Sequence, residues 1–159
     1  MIKIMFVCHG NICRSPMAEF IFKDMVKKAD ISDKFVIESS ATSTEEIRNG
    51  IGNPIYPPAK HELSKHRIGC DGKRAVQLNK ADYDKYDYFI CMDSNNIRNA
   101  LRIFGNDKDG KVHKMMSFAG INRDVSDPWY SGNFEQAYSD IYSGCKGLLN
   151  NFKKKSDIV

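Results

Sequence analysis

The opening of the chain constrains it most. Ile2-Lys3-Ile4-Met5-Phe6-Val7 is a short, mostly apolar run of buried-strand length. It breaks at Cys8-His9-Gly10-Asn11, and Ser15-Pro16 follows. Serine is a good helix N-cap, and proline is favoured at the first helical position. Met17, Phe20, Ile21 and Met25 then recur at helical spacing and end in Lys27-Lys28. A strand, a tight loop and a helix are encoded in succession, with Cys8 where the strand ends.

The same alternation continues. Residues 35–40 read as a second strand, followed by a polar loop over residues 42–53. Pro57-Pro58 opens a helix carrying Ala59 and Leu63, and Asn79 caps a short turn through Tyr83. Residues 88–92 form a third apolar run. Asp93-Ser94 then begins a helix with Ile97, Ala100, Leu101 and Phe104 on one face, stopped by Gly105. Residues 112–116 are a weaker fourth strand. Phe134, Ala137, Tyr138, Ile141, Cys145, Leu148, Leu149 and Phe152 form the clearest helical stripe. Gly144 and Gly147 weaken that helix by about 1 kcal/mol each relative to alanine, so packing must hold it. Strands alternating with helices predict an α/β fold. The expected architecture is one domain over residues 1–159, a four-stranded parallel sheet with helices on both faces. Ligands of such sheets bind beyond the C-terminal strand ends, where Cys8 sits.

Composition narrows the chemistry. With 42% hydrophobic and 28% charged residues, the chain fits neither disorder nor collagen nor coiled coil. No apolar run approaches the roughly 18 residues needed to cross a bilayer. The first run is too short for a secretory segment, so neither export nor a membrane span is expected. Five cysteines, Cys8, Cys13, Cys70, Cys91 and Cys145, are an odd number without metal-ligand spacing. They point to free thiols in reducing cytoplasm rather than to a disulfide framework or a metal site. A net charge of +4 helps attract anions, but the basic residues form no nucleic-acid stripe. Lys153-Lys154-Lys155 reads as a solvated tail. His61, His66 and His113 read as surface or capping residues.

Cys8-His9-Gly10-Asn11-Ile12-Cys13-Arg14 is a Cys-x5-Arg segment. The spacing alone is weak, because a chain of this composition holds such a pair by chance about once in five. Its place between a strand and a helix N-terminus strengthens it. Five intervening residues let the backbone curl around one anion, with N–H groups of His9, Gly10, Asn11, Ile12 and Cys13 turned inward and the helix dipole behind them. The same field favours thiolate over thiol at Cys8. Arg14 adds a planar two-pronged donor for phosphate oxygens. Asn11 suits a left-handed turn, and its side chain also braces the loop. Ser15 caps the helix, and its hydroxyl can steady the sulfur. The His9 side chain points outward. Read in isolation, Cys8 is a small buried residue ending a strand, Arg14 a cation at a helix start, and Asp127, ahead of Pro128, a turn residue.

Taken together, the segment resembles the signature of the low-molecular-weight protein tyrosine phosphatases, V-C-x-G-N-x-C-R-S-P-x-A-E, with every fixed position matched from Val7 through Ala18 and Glu19. The likeness covers nearly the whole chain. Ser39-Ser40-Ala41 looks like the family's strand-two ending, Phe89-Ile90-Cys91-Met92-Asp93 like its third strand, and Asp127-Pro128-Trp129-Tyr130 like its Asp-Pro-aromatic loop. The resemblance implies a phosphocysteine on Cys8, stabilisation by the loop and Arg14, and Asp127 as general acid and then base. It also implies that Trp129 and Tyr130 wall the cleft, that Cys13 forms a reversible disulfide with Cys8, and that Asp93 braces the loop. Expected substrates are a phosphotyrosine-containing protein or a small aryl phosphate, with inorganic phosphate or other oxyanions seated in the loop and no metal or cofactor.

Three departures stand out. Thr44-Glu45-Glu46 occupies the place of an aromatic wall in a lengthened 42–54 loop, which puts Glu45 on an acidic lip that disfavours acidic phosphopeptides. The stretch Asp71-Gly72-Lys73-Arg74-Ala75-Val76-Gln77 lacks the family's histidine, which puts a bracing contact in doubt. Trp129-Tyr130 replaces a tyrosine pair. An arsenate reductase on this fold would need two more cysteines close in sequence, and Cys70 and Cys91 are 21 residues apart. A phosphocarrier domain would need neither Arg14 nor Asp127, and a catalytically dead phosphotyrosine-binding module would not need all three catalytic groups. The expectation is a cysteine-dependent phosphomonoesterase.

Overall fold

Side chains alternate across a strand, and on the first strand both sets are apolar, so both faces of the sheet must be covered. In the computed structural model, which describes residues 1–155, the chain runs β1 (Ile2–Cys8), α1 (Arg14–Lys28), β2 (Phe35–Ala41), β3 (Ile47–Arg48), β4 (Ile51–Gly52), α2 (Pro57–Lys65) and α3 (Asp82–Lys85). It continues through β5 (Tyr88–Cys91), α4 (Ser94–Phe104), β6 (Val112–Lys114), α5 (Pro128–Ser131) and α6 (Phe134–Lys154). Ile4, Phe6 and Cys8 face a layer built from Met17, Ile21 and Phe22 of α1 and Ile141, Leu148 and Phe152 of α6. Met5 and Val7 face the opposite layer with Phe89, Ala100 and Phe104.

The main sheet has the order β2-β1-β5-β6, and every neighbouring pair is parallel. Cys8 pairs with Ala41, and Val7 with Cys91, so the C-terminal strand ends share one edge. The chain leaves β1 for β2 on one side and later returns to β5 on the other. The end of β1 is therefore the switch point at which open α/β sheets leave a crevice.

Several local expectations change. The polar loop contains the β3–β4 hairpin, antiparallel with Ile47 opposite Gly52. α1 begins at Arg14, with Cys13 at the N-cap position and no side-chain cap; the Ser15 hydroxyl turns to the loop instead. Asn79 does not cap α3; its backbone N–H donates to the Asp82 carboxylate. β6 stops at Lys114, and residues 115–119 wind into a 3-10 turn against α6. His113 is half-buried between the rings of Tyr88 and Phe118, and burial pushes its imidazole pKa down. His66 stacks on Tyr138 at 3.7 Å. No described helix is long and apolar enough to cross a membrane.

The two glycines of α6 have a packing reason. A Cβ on Gly144 would stand 2.9 Å from the Met115 carbonyl oxygen, and one on Gly147 would stand 1.9 Å from that of Phe118. Their absence of a side chain lets the 3-10 turn lie directly on the helix. Gly147→Ala is expected to lower stability by about 1–3 kcal/mol in a urea titration. In an open helix the same change gains about 1 kcal/mol, so a stabilised variant would show that the contact opens freely.

Candidate active site

Cys8 ends β1 with its sulfur under the loop. Asn11 then adopts φ 59, in the left-handed region, which turns its backbone N–H back toward the Cys8 sulfur at 3.3 Å. The Ser15 hydroxyl lies 3.0 Å from the same sulfur. The Asn11 amide holds the turn from three directions: its Oδ1 accepts from the Val76 N–H at 3.0 Å, and its Nδ2 donates to Ser15 Oγ at 2.8 Å and Ser39 Oγ at 3.0 Å. The 71–77 stretch, in which the absent histidine put a bracing contact in doubt, thus braces the loop through a main-chain amide.

Arg14 is 3% exposed, so its charge must be matched locally. Nη1 donates to Asp93 Oδ2 at 2.8 Å and to the Val125 carbonyl at 2.7 Å, while Nη2 lies 3.6 Å from Asp127 Oδ2. Both Nη1 hydrogens are thus committed to the protein, which leaves the Nε–Nη2 edge for a ligand. Burial opposes the guanidinium charge, but Cys8, Asp93 and Asp127 outweigh it and raise its pKa. Asp93 does two jobs. Its Oδ1 closes a capping box with Asn96 at the start of α4, and its Oδ2 orients Arg14.

Asp127 caps α5, accepting from the Trp129 N–H at 3.0 Å through Oδ1, and this turns Oδ2 toward Arg14. Trp129 packs against Tyr56 with ring centroids 4.8 Å apart and planes tilted by 49°, whereas Tyr130 is 86% exposed and stands in solvent. His9 is half-exposed, with Nε2 3.0 Å from Glu45 Oε2. The loop expected to be an acidic lip is thereby tied to the cysteine loop, and backbone bonds from Thr42 N–H to the Cys8 carbonyl and from Ser43 N–H to the His9 carbonyl reinforce the tie. A Cβ on Gly10 would meet the Glu46 stem at 3.2 Å, so the two loops lie close together.

Ile12 and Cys13 are buried in a small cluster with Ala75, packed by Ile47, Tyr56 and Phe134. Their side chains face inward, so any contact they make with an anion runs through the backbone. Burial, then the nearby Cys8 and Asp127, pushes the Cys13 thiol up to about 12. The sequence did not single out Tyr56, Val125, Arg123 or Asp140. Arg123 grips Asp140 of α6 in bidentate fashion, Nη1 to Oδ2 at 2.9 Å and Nη2 to Oδ1 at 2.7 Å. That grip, with the Val125 N–H bonded to the Met92 carbonyl at 2.9 Å, anchors the segment that carries Val125 and Asp127.

A four-stranded parallel sheet with a cysteine loop at its switch point is the fold of the small cysteine phosphatases. The crystal structure of YfkJ from Bacillus subtilis matches at TM-score 0.91 and 36% identity, covering 98% of this chain and 96% of that one. That of SP-PTP, a low molecular weight protein tyrosine phosphatase from Streptococcus pyogenes, matches at 0.83 and 39%, covering 95% and 93%. The chain belongs to the low molecular weight phosphotyrosine protein phosphatase family, a model of which matches residues 3–157. Among curated relatives, the low molecular weight protein-tyrosine-phosphatase PtpA of Staphylococcus aureus is 35% identical, over 99% of this chain and 98% of its own length.

The Arg123–Asp140 grip has a pH signature. The hydrogen bond from Arg123 lowers the Asp140 pKa, burial opposes it, and Gln136 adds to the lowering. A carboxyl depressed on folding adds stability that is complete above its unfolded value of about 3.9 and is lost as pH falls through the folded value. Asp140→Asn is expected to flatten the acid limb of a stability–pH curve measured by urea unfolding; an unchanged limb would assign it to other carboxylates.

Proposed function

We propose that this protein hydrolyses phosphate monoesters, foremost phosphotyrosine in proteins and aryl phosphates, through a phosphocysteine on Cys8. The observation that carries this reading is a sulfur at the root of the loop, 3.3 Å from the Asn11 N–H and 3.0 Å from the Ser15 hydroxyl, with a buried arginine locked beside it by Asp93. The Cys8 thiolate attacks phosphorus in line, an S–P bond forms, and the P–O bond to the leaving group breaks. Loop amides of residues 9–15 and the free edge of Arg14 stabilise the equatorial oxygens. Asp127, 29% exposed in its side chain, gives its proton to the leaving oxygen. Asp127 then takes a proton from water, the new O–P bond forms, and the S–P bond breaks to return thiolate.

The names of the relatives support phosphotyrosine as the substrate. Trp129, packed against Tyr56, supports an aromatic leaving group lying against it. Glu45 and Glu46 at the mouth support discrimination against acidic phosphopeptides. The disulfide between Cys8 and Cys13 belongs to the same reading. Five free cysteines among the described residues support a cytoplasmic setting. Burial raises the thiols of Cys70, Cys91 and Cys145, which speaks against a cysteine relay for arsenate reduction.

Cys8→Ser is expected to abolish phosphate release from a chromogenic aryl phosphate. Asp127→Ala is expected to slow phenyl phosphate about 100-fold or more, and p-nitrophenyl phosphate much less, because nitrophenolate leaves without a proton. Equal losses on both substrates would remove Asp127 from the role of acid.

A further inference from the structure

Asp127 follows residues 120–126, a stretch without helix or strand. A catalytic group displaced by about 1 Å can lose about 100-fold in rate, and the four-residue α5 is too short to fix Asp127 by itself. The stretch must be held from outside. Arg123 is held by Asp140 of α6. Its neighbour Asp124 reaches a different anchor, the start of α4. Asp124 Oδ1 accepts from the Ser94 N–H at 3.2 Å and from the Lys114 ammonium at 2.9 Å, and the Ser94 hydroxyl lies 3.3 Å away. Lys114 also donates to Ser94 Oγ at 2.9 Å. An ammonium can only donate, so the Ser94 hydroxyl accepts there and keeps its own hydrogen for Asp124.

The fold explains why these groups meet. β6 pairs in parallel with β5, with Lys114 opposite Cys91, so the sheet delivers Lys114 to the edge where α4 begins. The first turn of a helix presents N–H groups without intrahelical partners, which suit carboxylates. Asp93 takes that of Asn96, and Asp124 takes that of Ser94. One residue on, the Val125 N–H donates to the Met92 carbonyl at 2.9 Å, and the Val125 carbonyl accepts from Arg14 at 2.7 Å. Asp124 and Val125 together tie the chain down just ahead of Asp127. An ion pair whose side chains are 20% and 46% exposed adds at most about 1 kcal/mol to stability. Stability alone is a poor account of it.

We propose that Lys114 is a positioning residue for the acid step: with Ser94 it clasps Asp124 to the start of α4, and the clasp keeps Asp127 within reach of the leaving oxygen. The proposal rests on the reading of Asp127 as the acid. The Lys114 hydrogen bond holds the Asp124 carboxyl below its usual range, against the opposing effect of burial. As a charged carboxylate, Asp124 accepts from the ammonium, the amide and the hydroxyl together. Without the ammonium, the Ser94 hydroxyl is free to rotate and Asp124 keeps one fixed donor. Residues 124–127 then gain freedom, and Asp127 spends time where its proton does not reach the leaving oxygen. The Cys8 sulfur and the Arg14–Asp93 pair keep their own contacts, so attack on an ester that needs no proton continues.

The test compares Lys114→Met and Lys114→Arg with the wild type on phenyl phosphate and p-nitrophenyl phosphate. The readout is kcat/KM, which covers the steps through departure of the leaving group. Amide hydrogen exchange over residues 121–131, followed by mass spectrometry, is measured alongside and needs no turnover. Lys114→Met is expected to lower kcat/KM about fivefold on phenyl phosphate and less than about twofold on p-nitrophenyl phosphate. It is also expected to speed exchange across 121–131 about fivefold while the midpoint of urea unfolding stays nearly unchanged. Lys114→Arg keeps the charge and is expected to restore both readings. A wild-type ratio between the two esters in Lys114→Met would overturn the proposal, and so would exchange at the wild-type rate. Equal losses on both esters in Asp127→Ala would instead remove the acid reading, while exchange in Lys114→Met would still decide whether the clasp holds the segment.

Discussion

The site depends on one residue held in the left-handed region. Asn11 at φ 59 adopts a conformation that costs most L residues about 1–2 kcal/mol and asparagine less. That turn brings its N–H back to the Cys8 sulfur instead of letting the strand run on. The side-chain bonds to Ser15, Ser39 and the Val76 N–H offset the strain, at about 1 kcal/mol each. Those partners come from α1, from β2 and from a segment that follows α2. The register of β1 on β2, with Phe6 opposite Ser39 and Cys8 opposite Ala41, carries Ser39 to the loop. The loop is shaped by the sheet beneath it as much as by its own residues.

Charge is arranged from the same edge. A buried guanidinium is tolerable only with partners, and Arg14 finds Asp93 after β5 and the Val125 carbonyl beyond β6. Parallel strands deliver these loops to one end of the sheet, so an arginine from the first loop and carboxylates from two later loops converge. Asp93 joins stability to the site, since one carboxylate both starts α4 and aims Arg14. The Arg123–Asp140 grip extends that support to the segment bearing Asp127, which itself has only a four-residue helix behind it.

Much of this was legible in the residues. The alternation of apolar strands with amphipathic helices announced the parallel sheet. The spacing of Cys8 and Arg14 across a strand–helix junction announced the loop, and the Asp93 cap was readable as such. The misses share a cause. The β3–β4 hairpin is held by two pairings and by contacts with the 74–75 segment, where the Ala75 backbone lies against Gly52, and not by local apolar periodicity. Ser15 is a good cap in isolation, but the sulfur and Asn11 compete for its hydroxyl. His113 looks polar in sequence and is half-buried because two distant rings enclose it. Tyr56 gave no signal, since its role depends on the distant Trp129.

The amino-acid order by itself determined the strand, the loop, the helix that follows and the chemical groups at Cys8, Arg14 and Asp127, because each follows from residues within a turn or two of its neighbours. Only the tertiary structure decided which edge of Arg14 is free, that the Ser15 hydroxyl meets the Cys8 sulfur, and that Lys114 and Asp124 meet beside the start of α4. Hydrogen-bond direction and burial are set by partners dozens of residues away. Those partners become neighbours only when the sheet brings its strand ends to a common edge.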